Sequence, residues 1–343
     1  MSSPLQTLHL YASQPDDVIL AGQLLREGGL VAFATETVYG LGANALSADA
    51  VAGVFRAKQR PSWDPLIVHI GSVEELAKVA VVPAELEARI AKLAEAFWPG
   101  PLTLLLPRNV AVPDAVTAGR ALVGVRVPAH PAAQALLRAA GVPVAAPSAN
   151  LFGHTSPTTA EHVLSDLDGR IDAVLDAGPT TVGVESTVVD PTQTPMVLYR
   201  PGAVTATELA AVTGVPVKSD HFRGEHVAPA SLPSPGVGIR HYAPRAVLVL
   251  TGPTAEELWD RAADQPQDER LGVMLPSGWL TPPRATEFAW GPWDDAAALA
   301  ARVFAGLREL DDRGVTTILC PLPEPGGLGD ALRDRLQKAA RKA

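Results

Sequence analysis

Six short stretches of this chain carry residue types that bind and polarise small anions. "LVAFATETVYGLGANA", from Leu30 to Ala45, follows an apolar run with the hydroxyls of Thr35 and Thr37 and then with Gly40 and Gly42. Hydroxyls and backbone amides at a strand end can meet a small polar ligand, and glycine permits close approach. Taken alone, the stretch fits a strand and a tight turn equally well. "RAKQRPSWDPLIVHI" sets Lys58 and Arg60 just before an apolar strand, with Pro61 and Pro65 stiffening the connection. Such cations suit a polyphosphate; without their neighbours they also fit a solvated loop. His69 lies inside that strand, where a lone histidine is more often a satisfied core residue than a ligand. In "VGVRVPAHP", Arg126 is the only charge in a run that otherwise reads as buried sheet, so it needs a partner or faces a cleft. "VPVAAPSANLFGHTSPT" ends a strand with Ser148, Asn150, His154, Thr155 and Ser156, a set that suggests a shaped polar pocket. "GVESTVVDPT" adds Ser186 and Thr187, and "VLYRPGAVT" adds Arg200. Together they make a cleft in which Lys58, Arg60, Arg126 and Arg200 face a triphosphate or carboxylate while hydroxyls orient the rest. No residue stands out as a nucleophile or a general base.

Such a cleft needs a frame, and the pattern from Leu30 to residue 217 is α/β. Apolar runs expected as strands are "LVAFAT", "PLIVHI", "PLTLLLP", "ALVGVRVP", "VPVAAPS", "DAVLDAG", "STVVD" and "MVLYRP". Helices are expected over "QPDDVILAGQLLREGG", "DAVAGVFRAK", "PAELEARIAKLAEAF", "PAAQALLRAAG" and "TAEHVLSDL". Residues 218–245 break the pattern with prolines and glycines and are expected to be a linker. From 246 to 343, "AVLVL", "LGVML" and "VTTILCPL" alternate with three helical patterns, which predicts a small Rossmann-like βαβ domain after a first domain over 1–217. The five cations of the tail "RDRLQKAARKA" read as a solvated face of its last helix.

Composition narrows the function classes. With 343 residues, 47% hydrophobic and 19% charged, the chain has ample material for buried cores. A net charge of -9 argues against nucleic acid held on a broad basic surface, so any anion site must be local. The single cysteine, Cys320, excludes an intrachain disulfide framework and a cysteine-based zinc site. No signal peptide or sustained apolar span is legible, which makes a cytoplasmic protein with no membrane partner the default.

In this order and at these spacings, "TETVYGLGANA", "KQRPSWDPLIVHI", "FWPGPLTLLLP", "VRVPAHP", "APSANLFGHTSPT", "GVESTVVD" and "YRPG" resemble the Sua5/YrdC/YciO family of threonylcarbamoyl-AMP synthases. "SPGVGIRHYAP" followed by a second α/β domain resembles the longer, Sua5-type members. The resemblance implies a twisted mixed sheet around a large, positively charged cavity. It implies an enzyme that converts L-threonine, bicarbonate or carbon dioxide, and ATP with Mg2+ into threonylcarbamoyl adenylate and pyrophosphate. The adenylate would pass to the downstream tRNA threonylcarbamoyl transferase machinery for the t6A modification of tRNAs that read ANN codons. By the same resemblance, Lys58 and Arg60 are catalytic and face the triphosphate. Asp64, Leu122, Ser148, Asn150, Ser156, Arg200, His241 and Tyr242 lie on the ATP side, the last two as parts of a lid. Thr35, His69, Arg126, Ala146 and Ser186 lie on the threonine side. Val237 and Gly238 stand where members often carry methionine and a cation, which puts the charge of that part of the lid in doubt. An RNA-binding module and a carbamoyl-adenylate enzyme with a different acceptor are the alternative readings.

Overall fold

The computed structural model describes residues 6–220, Leu232, Ser234 and 241–341. The first unit runs β1 (Leu8–Tyr11), α1 (Pro15–Arg26), β2 (Val31–Ala34), β3 (Tyr39–Asn44), α2 (Ala48–Lys58), β4 (Ile67–His69), α3 (Glu87–Phe97), β5 (Leu102–Pro107), α4 (Asp114–Thr117), β6 (Leu122–Arg126), α5 (Pro131–Ala140), β7 (Val144–Ala145), α6 (Ala160–Leu167), β8 (Ala173–Asp176), β9 (Thr187–Asp190), β10 (Met196–Arg200), α7 (Ala206–Thr213) and β11 (Val217–Ser219). Its 11-stranded sheet has the order β1-β8-β2-β3-β7-β4-β6-β5-β9-β10-β11. Parallel pairs such as β4 with β6 mix with antiparallel ones such as β2 with β3. Both faces are covered, which is why β2 and most of β6 are continuous apolar runs rather than alternating ones. Helices α1 and α5 bury Leu25 and Leu136 on one face, and α2, α3 and α6 bury Val54, Leu93 and Val163 on the other.

Local chemistry sets the positions of the elements that carry the cleft. Helix α2 starts where the Ser47 side chain accepts from the Ala50 N–H, and it stops at Gln59, whose φ of 53° is left-handed. That stop leaves Lys58 on the last turn and releases Arg60 into the connection to β4. Helix α5 begins at Pro131 behind a His130 cap and ends at Gly141, with φ 65°.

Some elements were not anticipated. "LHLY" forms β1 and pairs parallel with β8. "YGLGAN" is not a polar strand end but a strand of its own, antiparallel to β2, with Gly40 opposite Phe33 and Gly42 opposite Val31. The glycines therefore sit inside a ladder and offer no turn amides to a ligand. Strand β11 carries the sheet to Ser219, past the boundary expected at 217. Most of the expected linker, including Val237 and Gly238, lies outside the described residues.

The second unit contains β12 (Val247–Thr251), α8 (Ala255–Ala263), β13 (Leu271–Pro276), β14 (Thr286–Gly291), α9 (Ala296–Asp312), β15 (Thr317–Pro321) and α10 (Leu328–Ala339). Its four strands are all parallel, in the order β12-β15-β13-β14. Strand β14 was not expected; it alternates, with Phe288 and Trp290 inward.

The two units share apolar packing. Val38 and Val184 of the first lie in one buried cluster with Phe304, Leu307 and Leu332 of the second. At Gly183 a Cβ would fall 2.3 Å from the Ala300 carbonyl oxygen, so only glycine allows this approach to α9. The tail corrects the reading of a solvated face, because Arg335 and Lys338 of α10 are buried at this interface, at 1% and 6% exposure. Beside it, Arg308 of α9 pairs with Asp166 at 2.8 Å, and His154 Nδ1 lies 3.1 Å from the other Asp166 oxygen. Burial alone would raise the Asp166 carboxyl; the hydrogen bond to His154 and the charge of Arg308 outweigh it and hold the group at about 2.

Both partners of this pair are largely buried, so Arg308→Ala is expected to cost about 2 kcal/mol. Because the carboxyl is depressed from its usual value, the wild type's advantage is complete above roughly pH 4 and fades as the pH falls toward about 2. Urea unfolding of both proteins across that range measures it. An equal advantage at both ends would remove this ion pair from the interface energetics.

Candidate active site

A cavity opens among the ends of β2, β4, β6, β7 and β10. Ten of the fifteen residues to which the family resemblance gives a role line it, Thr35, Arg60, His69, Arg126, Ala146, Ser148, Ser186, Arg200, His241 and Tyr242, and so do Thr37 and Gly40. The other five stand behind its walls. Lys58 is buried and donates through Nζ to the carbonyls of Ser148, at 2.6 Å, and Asn150. Asn150 donates to the Leu151 and His154 carbonyls and so shapes the same segment. Asp64 pairs with Arg60, Ser156 donates to Glu185 at 2.5 Å, and Leu122 packs with Ile67, Leu105 and Val188.

The wall after β2 is a tight hydroxyl turn. Thr35 Oγ1 donates to the Val38 carbonyl at 2.7 Å, lies 2.8 Å from Thr37 Oγ1, and accepts from the Thr37 and Val38 amides. Thr37 Oγ1 in turn accepts from Arg126 Nη1 at 2.9 Å, and Arg126 Nε donates to the Gly100 carbonyl. Arg126 Nη2 lies 2.7 Å from Glu36 Oε1, an ion pair that is not aligned as a hydrogen bond. Burial raises the Glu36 carboxyl, but the neighbouring Arg126 guanidinium brings it below its ordinary value.

The opposite wall is built by a bulge and a glycine. Between Leu198 and Arg200 the register of β10 against β9 slips by one residue, which re-aims Arg200 toward the cavity. Arg200 donates from Nε to the Ser186 carbonyl at 2.9 Å and from Nη2 to Ser186 Oγ at 3.0 Å. A Cβ at Gly202 would lie 2.4 Å from the Thr187 nitrogen; glycine is what lets "YRPG" lie flat against "GVEST".

Arg60 donates to Asp64 and Pro65 carbonyls and pairs with the Asp64 carboxylate at 2.9 Å. Burial pushes the Asp64 carboxyl up, against the pull of Arg60 and Lys58. Burial, with Arg60 beside it, lowers the Lys58 ammonium well below its ordinary value. Burial and the Arg126 charge likewise take His69 down to about 3, so its ring is neutral near pH 7. His69 Nδ1, His241 Nδ1 and the Tyr242 hydroxyl, all on residues that line the cavity, are buried and have no hydrogen-bond partner among the described residues. Buried polar atoms of this kind are normally satisfied, so they mark where a ligand's polar groups or water would bind. An aromatic series from Trp63 through Phe152, His241 and Tyr242 to Phe304, at 5.9, 5.7, 4.2 and 5.6 Å, roofs this region. Leu232, from the linker, donates its N–H to the Trp63 carbonyl at 2.9 Å.

Sequence reasoning missed Glu185, although it stands beside Ser186 in a quoted motif, and it missed Glu36 as the counter-ion of Arg126. Both were visible as carboxylates within motifs otherwise made of hydroxyls and apolar residues.

A family model described as "Telomere recombination" (Sua5_yciO_yrdC) matches residues 23–202, and one described as "Threonylcarbamoyl-AMP synthase, C-terminal domain" matches 204–341. The threonylcarbamoyl-AMP synthase of Pyrococcus abyssi is 44% identical over 330 residues, 94% of this chain and 93% of its own. The chain belongs to the Sua5/YciO/YrdC family. The Bacillus subtilis threonylcarbamoyl-AMP synthase is 42% identical over 93% of this chain and 92% of its own. The crystal structure of P. abyssi Sua5 complexed with L-threonine superposes with a TM-score of 0.85 at 39% identity, covering 98% of each chain. Membership of the Sua5/YciO/YrdC family therefore extends through both units.

The neutral His69 is testable without any substrate. Its imidazole signals should show no titration between about pH 5 and pH 8, whereas a midpoint near the ordinary histidine value would mean that water reaches the ring. Proton and nitrogen chemical shifts across that range read the difference.

Proposed function

We propose that the protein is a threonylcarbamoyl-AMP synthase: it makes L-threonylcarbamoyl adenylate and pyrophosphate from L-threonine, bicarbonate or carbon dioxide, and ATP. The carrying observation is that the relatives matching more than nine-tenths of the chain have this name, while the motifs shared with the family converge on one cavity. In this reading the threonine amine first adds to bicarbonate, losing water, to give a carbamate. A carbamate oxygen then attacks the α-phosphorus of ATP, and the bond to the β-phosphate oxygen breaks to release pyrophosphate. The places of this chain's residues support the following roles. The Thr35 and Thr37 hydroxyls and Arg126 receive the amino acid, with neutral His69 beside them. Arg60 and Arg200 face phosphoryl oxygens, where charge spreads in the transition state. Lys58 acts from behind, by holding the Ser148 and Asn150 carbonyls. Holding the reactants together supplies much of the rate, since the carbamate is short-lived and enclosure protects it.

Among the described residues no group of three or more His, Cys, Asp and Glu side chains could hold a metal ion. The Mg2+ of the proposed reaction would be carried by the nucleotide's own phosphate oxygens, where it would offset their charge. We read the linker as a lid whose His241 and Tyr242 close the cavity, supported by the burial of both and of Leu232 and Ser234. The parallel sheet of the second unit supports the Rossmann-like reading, and the arginines on the cavity wall support a cationic pocket. No helix among the described residues is long and apolar enough to cross a membrane. The proposed setting is the cytoplasm, with the product passed on to the tRNA threonylcarbamoyl transferase machinery.

The deciding experiment is pyrophosphate release from ATP with bicarbonate and each common amino acid. Release with threonine alone, and an adenylate of the expected mass, is the expected result; release with none from a folded, ATP-binding protein would sink the proposal. Within an active enzyme, Arg60→Lys keeps a charge beside Asp64 but loses the planar fork, and kcat should fall at least about tenfold. Wild-type turnover in that variant would take Arg60 away from the phosphates.

A further inference from the structure

Glu185 is a carboxylate in the wall of a cavity built for anions, and both of its oxygens are engaged. Oε1 accepts from Ser156 at 2.5 Å, and Oε2 accepts from Arg335 Nε at 2.7 Å. Arg335 comes from α10 of the second unit, and its side chain is fully buried, at 0% exposure. Its Nη2 donates to the Glu185 carbonyl at 3.3 Å and to the Pro201 carbonyl, next to Arg200, at 3.0 Å. The guanidinium carbon stands 5.3 Å over the Tyr242 ring. Asp334 anchors the opposite edge of the fork at 2.5 Å and is itself paired with Lys338 at 2.8 Å. One guanidinium thus touches three parts of the cavity's wall: the carboxylate before Ser186, the carbonyl after Arg200, and the ring of Tyr242.

We infer that Arg335 is a positioning residue of the active site, lent by the second unit: it neutralises Glu185 and holds the Pro201 carbonyl and Tyr242 in place. Without it, a buried carboxylate would stand uncompensated beside the site proposed for ATP phosphates and repel them. Arginine is required over lysine because the contacts lie in different directions from one plane, and an ammonium cannot span Glu185 and Pro201 while stacking on a ring. The inference rests on the reading that Arg200 faces ATP, and it gives the second unit a direct part in the chemistry of the first.

The test is a charge-rescue series read first by ATP binding in calorimetry without threonine. Arg335→Met, close in volume and neutral, should weaken ATP at least about tenfold, and adding Glu185→Gln should bring affinity back to within about threefold of wild type by removing the repelling charge. Arg335→Lys should stay within about threefold in ATP affinity and KM, yet lose at least about tenfold in kcat because Pro201 and Tyr242 are no longer held. Thermal melts separate these effects from misfolding, and Arg335→Lys serves if the methionine variant does not fold. A double variant as weak as Arg335→Met, or an Arg335→Lys enzyme with wild-type kcat, would overturn the inference. A wild type that binds ATP but makes no adenylate would sink the synthase reading alone, because the binding arm still decides the role of Arg335.

Discussion

Arginine held out of water sets the terms for this structure. An acidic chain that binds polyanions must keep cations in a cavity, and a buried cation costs several kcal/mol unless it is paired. The pairing is internal: Arg60 with Asp64, Arg126 with Glu36, and Arg335 with Glu185. Lys58 uses carbonyl oxygens instead. The cations are thereby compensated within the fold, and a phosphate or carboxylate competes for guanidinium edges already oriented for it. The misaligned Arg126–Glu36 pair illustrates this, since close contact without hydrogen-bond alignment leaves the guanidinium able to serve a second acceptor.

The same constraint explains why two units pack so tightly. Tyr242 belongs at once to the cavity lining and to the buried cluster of the second unit, stacked on Phe304. Its φ of 65° is one that a side chain of this size rarely adopts, so surrounding contacts must hold it there. Those contacts come from both units. Movement of α9 or α10 relative to the first sheet would shift the ring, and with it the roof over the cavity. Apolar packing around Gly183 and the Arg308–Asp166 pair resist that movement.

Much of this was legible in the sequence, for identifiable reasons. Motif residues are spaced by strands and helices whose periodicity is plain, so Thr35, Arg126, Ser148, Ser186 and Arg200 could be assigned to one cleft before any coordinates. Contacts between distant segments were not legible. "YGLGAN" looks like a glycine turn because its partners, Phe33 and the segment before Ser148, give no local signal. Arg335 is one of the five cations of the tail "RDRLQKAARKA", a pattern that usually faces solvent; its burial follows only from how α10 meets the first sheet. Strand β14 alternates on an edge, with only Phe288 and Trp290 buried, so its apolar signal is short.

Arg335 also bears on how the roof of the cavity is held. A residue such as Tyr242 can cover a cavity only where its neighbours fix its ring. The second unit supplies such neighbours, because its helices pack rigidly and present a planar cation to the ring. The carboxylate that anchors this cation is the neighbour of Ser186, so the position of the Tyr242 ring and the geometry of the "GVEST" wall are set by one group. The roof and the wall of the cavity are then held together, with the second unit as a fixed template.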